Sequence, residues 1–255
     1  LTGYIDLFSG IGGFALGAFW AGLRFNNHYF SEVDDYAIKV YKNHFPKAEA
    51  LGDVQKIDYS KLPKGDYLVT GGFPCQPHSD AGHKKGAEDE RDLWPECSRM
   101  LCDLRPKIAL FENVRGLLTS PGRKRRGDFF NGVLSDIFDC GYDAEWQIVS
   151  ASENGAPHER KRLFIVAYPN GGNGDTRMGL FTNGQGSLQN RNNSVCAKYN
   201  RWMEAVRKNA GKYDGLPGEL DAIKGLGNAV VPQCIETIFN YPVFDFWRIN
   251  ADNNK

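Results

Sequence analysis

The 255-residue chain is 41% hydrophobic and 24% charged, the proportions of an ordinary globular domain, which excludes a disordered or collagen-like polypeptide. Thirty-one Lys and Arg balance thirty-one Asp and Glu, so a nucleic-acid partner would have to be met by a local basic cluster rather than by net charge. The six cysteines (Cys75, Cys97, Cys102, Cys140, Cys196, Cys234) are scattered without a CxxC pair, which argues against a disulfide or zinc framework and for a reducing cytoplasm, and no apolar run approaches membrane length.

Residues 4–8 form a short apolar run that predicts a first strand ending in a Gly-rich turn, and residues 13–21 predict a helix. Residues 25–31 predict a second strand and 34–43 a second helix. Further strands are expected at 67–70, 108–111, 146–150 and 163–167, with helices at 94–104 and 129–140. This alternation implies βαβ units and a mostly parallel sheet. Right-handed crossovers would bring the strand C-termini, and any ligand site, to one edge. Residues 169–194 are crowded with Gly, Asn, Gln and Thr and lose hydrophobic periodicity, as a loop-rich insert does. A helix at 199–208, a turn at 214–218 and a helix at 232–239 follow. The chain begins at Leu1 rather than Met, so a few preceding residues are expected, with no signal peptide before the first strand.

Five groups of residues are candidates to carry chemistry. Asp6-Leu7-Phe8-Ser9-Gly10-Ile11-Gly12-Gly13 sits where the first strand meets the first helix, where glycines let a ligand approach the backbone and a helix N-terminus favours a negative group. Glu32 follows the second strand, where an acid can bind ribose hydroxyls, and Asp53 after Gly52 can receive a polar ring amine. In Gly71-Gly72-Phe73-Pro74-Cys75-Gln76-Pro77, two prolines stiffen the backbone around a thiol at the end of a strand, a setting that suits a nucleophile. The other five cysteines lack such surroundings and read as buried and inert. Glu112, in Phe111-Glu112-Asn113-Val114, is a carboxylate at the end of a buried strand, where desolvation raises its pKa towards that of a general acid, although a capping role fits equally. Arg123, Lys124, Arg125 and Arg126, flanked by Gly122 and Gly127, are the densest positive cluster, either a solvated face or a partner for phosphates. Arg160, Lys161 and Arg162 add charge before the strand at 163–167.

Taken together, these residues resemble the DNA (cytosine-5)-methyltransferase family. Asp6 to Gly13 is similar to its S-adenosylmethionine-binding motif. Pro74-Cys75-Gln76 is similar to its catalytic motif, continuing through Ser79, Ala81-Gly82, Gly86, Asp89, Arg91 and Glu96. Glu112-Asn113-Val114 resembles its catalytic acid motif, Arg160-Lys161-Arg162 its paired-arginine motif, and Gly227-Asn228-Ala229-Val230 its last motif. The motifs stand in the family's order, with His78 and His158 where an aromatic and a glutamine are common. The resemblance implies a doubly wound, mostly parallel Rossmann-like α/β fold. Its catalytic domain would span 1–168, a short target-recognition insert 169–213 and a returning C-terminal segment 214–255.

The resemblance further implies methyl transfer from S-adenosylmethionine to C5 of a flipped-out cytosine in double-stranded DNA, leaving S-adenosylhomocysteine. Cys75, Glu112, Arg160 and Arg162 would be catalytic. Phe8, Gly10, Ile11, Gly13, Glu32, Asp53, Pro74 and Asn228 would line the cofactor site, and Gln76, Ser79, Arg123, Lys124, Arg125 and Arg126 would contact DNA. No metal and no membrane are expected. The chain is expected to be a cytoplasmic monomer in a bacterial or phage-infected cell, with a cognate restriction endonuclease as candidate partner. A catalytically silent DNA- or partner-binding relative is the alternative, which the intact Cys75, Glu112 and arginine set disfavours. An NAD-dependent oxidoreductase would carry a GxGxxG loop, unlike the closer spacing of Gly10, Gly12 and Gly13.

Overall fold

Six consecutive buried residues, Thr2–Leu7, form β1, and their neighbours on both sides are parallel strands. The computed structural model describes residues 1–74, 93–120, 128–156, 158–170 and 229–249. Within them lie β2 (Asn27–Ser31), β3 (Glu49–Ala50), β4 (Asp66–Gly72), β5 (Ile108–Val114), β6 (Tyr142–Ser150) and β7 (Lys161–Pro169). The order across the single sheet is β3-β2-β1-β4-β5-β7-β6. Every pair from β3 to β5 is parallel, while β7 runs antiparallel between β5 and β6. The chain winds outward from β1 in both directions, which leaves a crevice at the C-terminal end of β1.

Alternation along each strand builds a core on each face of the sheet. Tyr4, Phe30, Leu68, Leu110 and Phe164 point to one side. They meet α1 (Gly13–Trp20), α2 (Asp35–His44), α5 (Pro232–Phe239) and α6 (Phe246–Ile249). Ile5, Val69, Phe111 and Ile165 point to the other, where α3 (Trp94–Leu104) and α4 (Asp128–Asp139) supply Trp94, Met100, Leu101, Val133 and Ile137. Asp34 caps α2, its Oδ1 accepting the Ala37 amide at 3.0 Å, and Lys42 in the last turn complements the helix dipole. Helices α1 and α5 meet at Gly17, where a Cβ would stand 2.4 Å from Cβ of Ile235.

The expected doubly wound, mostly parallel α/β class is therefore the observed one, and α3 has the expected bounds. Element bounds differ in several places, and three differences bear on the site or on the cysteines. The β4 strand continues through Gly71 and Gly72, pairing them with Phe111 and Glu112, so these glycines extend the strand rather than follow it. Lys161 and Arg162 likewise lie inside β7. Finally, Cys102 and Cys140 are joined by a disulfide, against the expectation of none, and Cys102 is exposed rather than buried. The two are 38 residues apart in sequence, and they meet because α3 and α4 pack on the same face. Among the described residues no helix is long and apolar enough to cross a membrane. The expected insert at 169–213, apart from its first two residues, and the helix at 199–208 lie outside the described residues.

Candidate active site

The loop after β1 turns sharply. Phe8, Gly10 and Gly12 all adopt positive φ, at 52°, 51° and 91°, before α1 starts at Gly13. No side chain caps α1, because its N-cap is Gly12. Among the described residues a Cβ at Gly10 would meet nothing within 4 Å. Glu32, one residue beyond β2, fastens this loop. Its Oε2 accepts the Gly10 amide at 2.8 Å, while Oε1 accepts the amides of Val33 at 2.8 Å and Asp34 at 3.0 Å. Asp53 caps the 3₁₀ turn Val54–Lys56 through the Gln55 amide at 3.1 Å, beside Lys56 at 3.6 Å. Ile11 is buried. Gly13 lies under the returning C-terminal segment, and a Cβ there would stand 2.3 Å from the Val230 carbonyl oxygen.

Behind the loop lies a buried polar network that sequence reasoning did not single out. Asp6 is fully buried, with Oδ1 accepting from Thr70 Oγ1 at 2.8 Å and Oδ2 from the Tyr41 hydroxyl at 3.3 Å. Tyr4 pairs with Thr70 at 2.8 Å and His28 Nε2 with the Tyr41 hydroxyl at 2.8 Å. Burial pushes the Asp6 carboxyl up to about 8, against the pull of Thr70, Tyr41 and the Ala15 amide. Burial and the nearby Lys42 hold His28 down to about 4. The only sequence signal for this network is an acid amid a buried apolar run.

Glu112 enters from β5, opposite Gly72 of β4 and Phe164 of β7. It is 9% exposed, and its Oε1 lies 2.9 Å from Arg162 Nε. The antiparallel course of β7 makes this contact, because it brings the start of that strand to the C-terminal edge of the parallel ones. Burial raises the Glu112 carboxyl above its ordinary range, and the charges of Arg162 and Arg160 oppose that rise. Such a carboxyl is more readily protonated than one in water, and it stands beside a fixed cation. Asn113, left without a role in the sequence, donates from Nδ2 to the Phe73 carbonyl at 3.1 Å. It thus ties the end of β5 to the Phe73-Pro74 turn. The N-terminus of α5 reaches the same place. The Cys234 thiol there is pushed up to about 12, first by burial and then by the Glu112 charge, so it is no nucleophile at neutral pH.

The structure thus gathers Phe8, Gly10, Ile11, Gly13, Glu32, Pro74, Glu112 and Arg162 along the C-terminal edge of the parallel strands, with Asp53 on the loop after β3. Cys75, Gln76, Ser79, Arg123, Lys124, Arg125, Arg126 and Asn228 lie outside the described residues.

Residues 3–211 match the family model described as C-5 cytosine-specific DNA methylase. The chain is similar to the type II methyltransferase M1.ScrFI of Lactococcus lactis subsp. cremoris, with 40% identity over 165 residues, 64% of this chain and 41% of that protein. It is 35% identical over 171 residues to the type II methyltransferase M.BsuFI of Bacillus subtilis, 65% of this chain and 39% of that one. The chain therefore spans about two-fifths of the length of these relatives. Among solved structures, a Spodoptera frugiperda DNMT2 mutant superposes with a TM-score of 0.54 at 23% identity, over 67% of this chain and 51% of that one, a likeness of fold. The family match over residues 3–211 shows that the chain belongs to the C-5 cytosine-specific DNA methylase family.

Proposed function

We propose that this chain transfers a methyl group from S-adenosylmethionine to C5 of cytosine in double-stranded DNA. The observation that carries the reading is a buried carboxyl of raised pKa, Glu112, held 2.9 Å from Arg162 beside the Pro74 turn and on the same edge as the Gly-rich loop. The loop fits the cofactor. Among the described residues Gly10 faces open space and the buried Ser9 Oγ has no hydrogen-bond partner, while Glu32 anchors the turn at the end of β2. Phe8, Gly10, Ile11, Gly13, Glu32, Asp53, Pro74 and Asn228 would hold it. When bound, S-adenosylmethionine supplies a methyl group on a sulfonium sulfur, and S-adenosylhomocysteine is the product.

C5 of cytosine is a poor nucleophile. The Cys75 thiolate would add to C6 and form a C6–S bond, which makes C5 electron-rich. Glu112 would give a proton or hydrogen bond to N3, where charge develops, and Arg162 with Arg160 would hold the base carbonyl and a neighbouring phosphate. After C5 has taken the methyl group it would lose its proton, and the returning electrons would expel Cys75. The ring must leave the duplex stack, so base flipping is part of the proposal. Gln76, Ser79 and the cluster Arg123, Lys124, Arg125 and Arg126 would contact DNA. Residues 1–168 would form the catalytic domain, 169–213 the recognition insert and 214–255 the returning segment. A monomer in a bacterial or phage-infected cytoplasm completes the reading. The relatives' designation as type II methyltransferases supports a cognate restriction endonuclease as partner.

The test is transfer of labelled methyl groups to duplex DNA of mixed sequence, followed by nucleoside analysis. The expected product is 5-methyldeoxycytidine, abolished in Cys75→Ser while cofactor binding persists. Cofactor binding without any transfer would favour a catalytically silent relative, and turnover by Cys75→Ser would remove the nucleophile.

A further inference from the structure

We propose that Cys102 and Cys140 form a reversible thiol–disulfide site, in which Cys102 exchanges with low-molecular-weight disulfides and thiols and Cys140 is the resolving sulfur. The site uses no residue of the proposed methyl-transfer chemistry, so the two readings stand or fall separately.

The two sulfurs are bonded to each other, yet their surroundings differ. Cys102 lies in the last turn of α3 and is exposed, whereas Cys140 follows α4 and is 5% exposed. An attacking thiolate from solvent therefore reaches Cys102 Sγ and not Cys140. On the buried side, Cys140 Sγ lies 3.5 Å from the Ser98 carbonyl oxygen and 3.8 Å from Ser98 Oγ. Ser98 is one turn before Cys102 on α3, so a reduced Cys140 keeps an acceptor for its S–H and stays beside its partner. The Arg105 guanidinium, at the end of α3, donates to the Cys140 carbonyl oxygen and lies 5.2 Å from the Tyr142 ring centre. Backbone geometry keeps the pair together, with Cα atoms 5.0 Å apart, and a second tie between the helices, Trp94 Nε1 to Asp136 Oδ2 at 2.8 Å, does not depend on the bond.

In the oxidising direction the Cys102 thiolate attacks one sulfur of a disulfide such as oxidised glutathione. An S–S bond to Cys102 forms and one glutathione thiolate leaves. The Cys140 thiolate then attacks Cys102 Sγ and expels the second. Two protein thiols and one glutathione disulfide become one protein disulfide and two glutathione thiols, and reduced glutathione drives the reverse. The bond spans 38 residues, so its formation restricts the unfolded chain, and the oxidised protein should melt roughly 5–10 °C higher than the reduced one.

The experiment equilibrates the native full chain with mixtures of reduced and oxidised glutathione, quenches with acid, alkylates free thiols and maps the peptides by mass. Cys102 and Cys140 should gain and lose the alkyl label together across the series, with the stated shift in melting temperature. In Cys140→Ser, glutathione should remain on Cys102. In Cys102→Ser, Cys140 should take up no glutathione while the protein is folded, which circular dichroism checks. A bond that survives excess reduced glutathione in the native protein would make it a fixed cross-link and overturn the proposal. So would a pair that stays dithiol in excess oxidised glutathione, or glutathione found on Cys140 in folded Cys102→Ser.

Discussion

Asp6 and Glu112 are both carboxyls withdrawn from water, and their partners separate their roles. Glu112 has a guanidinium 2.9 Å away and stands at the sheet edge, whereas Asp6 is held only by neutral donors inside the fold. Glu112→Gln keeps the shape and removes the proton, so single-turnover methyl transfer should fall by about 10²–10⁴-fold with cofactor affinity unchanged. An unchanged rate would remove the acid role. Asp6 governs stability instead. Its folded pKa, about 8, lies above the ordinary value of 3.8, so the native state binds the extra proton and its advantage is lost as pH rises through 8. His28 acts with the opposite sign, because its folded pKa of about 4 lies below 6.5 and its contribution is lost as pH falls through that window. The two effects oppose each other between about 4 and 6.5, and above 6.5 the Asp6 effect is no longer offset by His28 and lowers stability up to about 8. Asp6→Asn should therefore flatten that upper decline, a difference of roughly 1–3 kcal/mol in urea unfolding between pH 6.5 and 8.5. An identical decline in the variant would contradict the assignment.

At the scale of elements, the contact between α1 and α5 fastens the C-terminal segment to the Gly-rich loop. Gly17→Ala would place a methyl 2.4 Å from Ile235 Cβ and 2.7 Å from the Pro232 carbonyl oxygen, neither of which can swing aside. The variant should lose about 1–3 kcal/mol of stability by urea midpoint, whereas unaltered stability would show that the two helices separate freely. Elements with strong apolar patterns were legible in the sequence. The α3 helix begins and ends where its composition predicts, and β1 and β5 differ at their termini. The first four residues of β6 were not, since Asp143 and Glu145 interrupt the apolar pattern of a strand paired on one side only. Nor was β3, two exposed residues that only the pairing with β2 makes a strand.

For the whole molecule, strand–helix alternation predicts the sheet but not the reversal of β7, and that reversal brings Arg162 to Glu112. Sequence order shows which motifs are present, while the partners of Glu112, the Asn113 tie and the Asp6 network depend on side chains reaching across strands. The Cys102–Cys140 bond is likewise invisible at a separation of 38 residues. The central claim, a methyl transfer that passes through a Cys75–cytosine bond, is tested most directly by trapping. The chain would be incubated with S-adenosylmethionine and mixed-sequence duplex DNA carrying 5-fluorocytosine, whose fluorine cannot leave as a proton does. The expected result is a denaturation-resistant protein–DNA adduct whose mass maps to Cys75. Clear cofactor binding with no adduct, or an adduct at another residue, would contradict it.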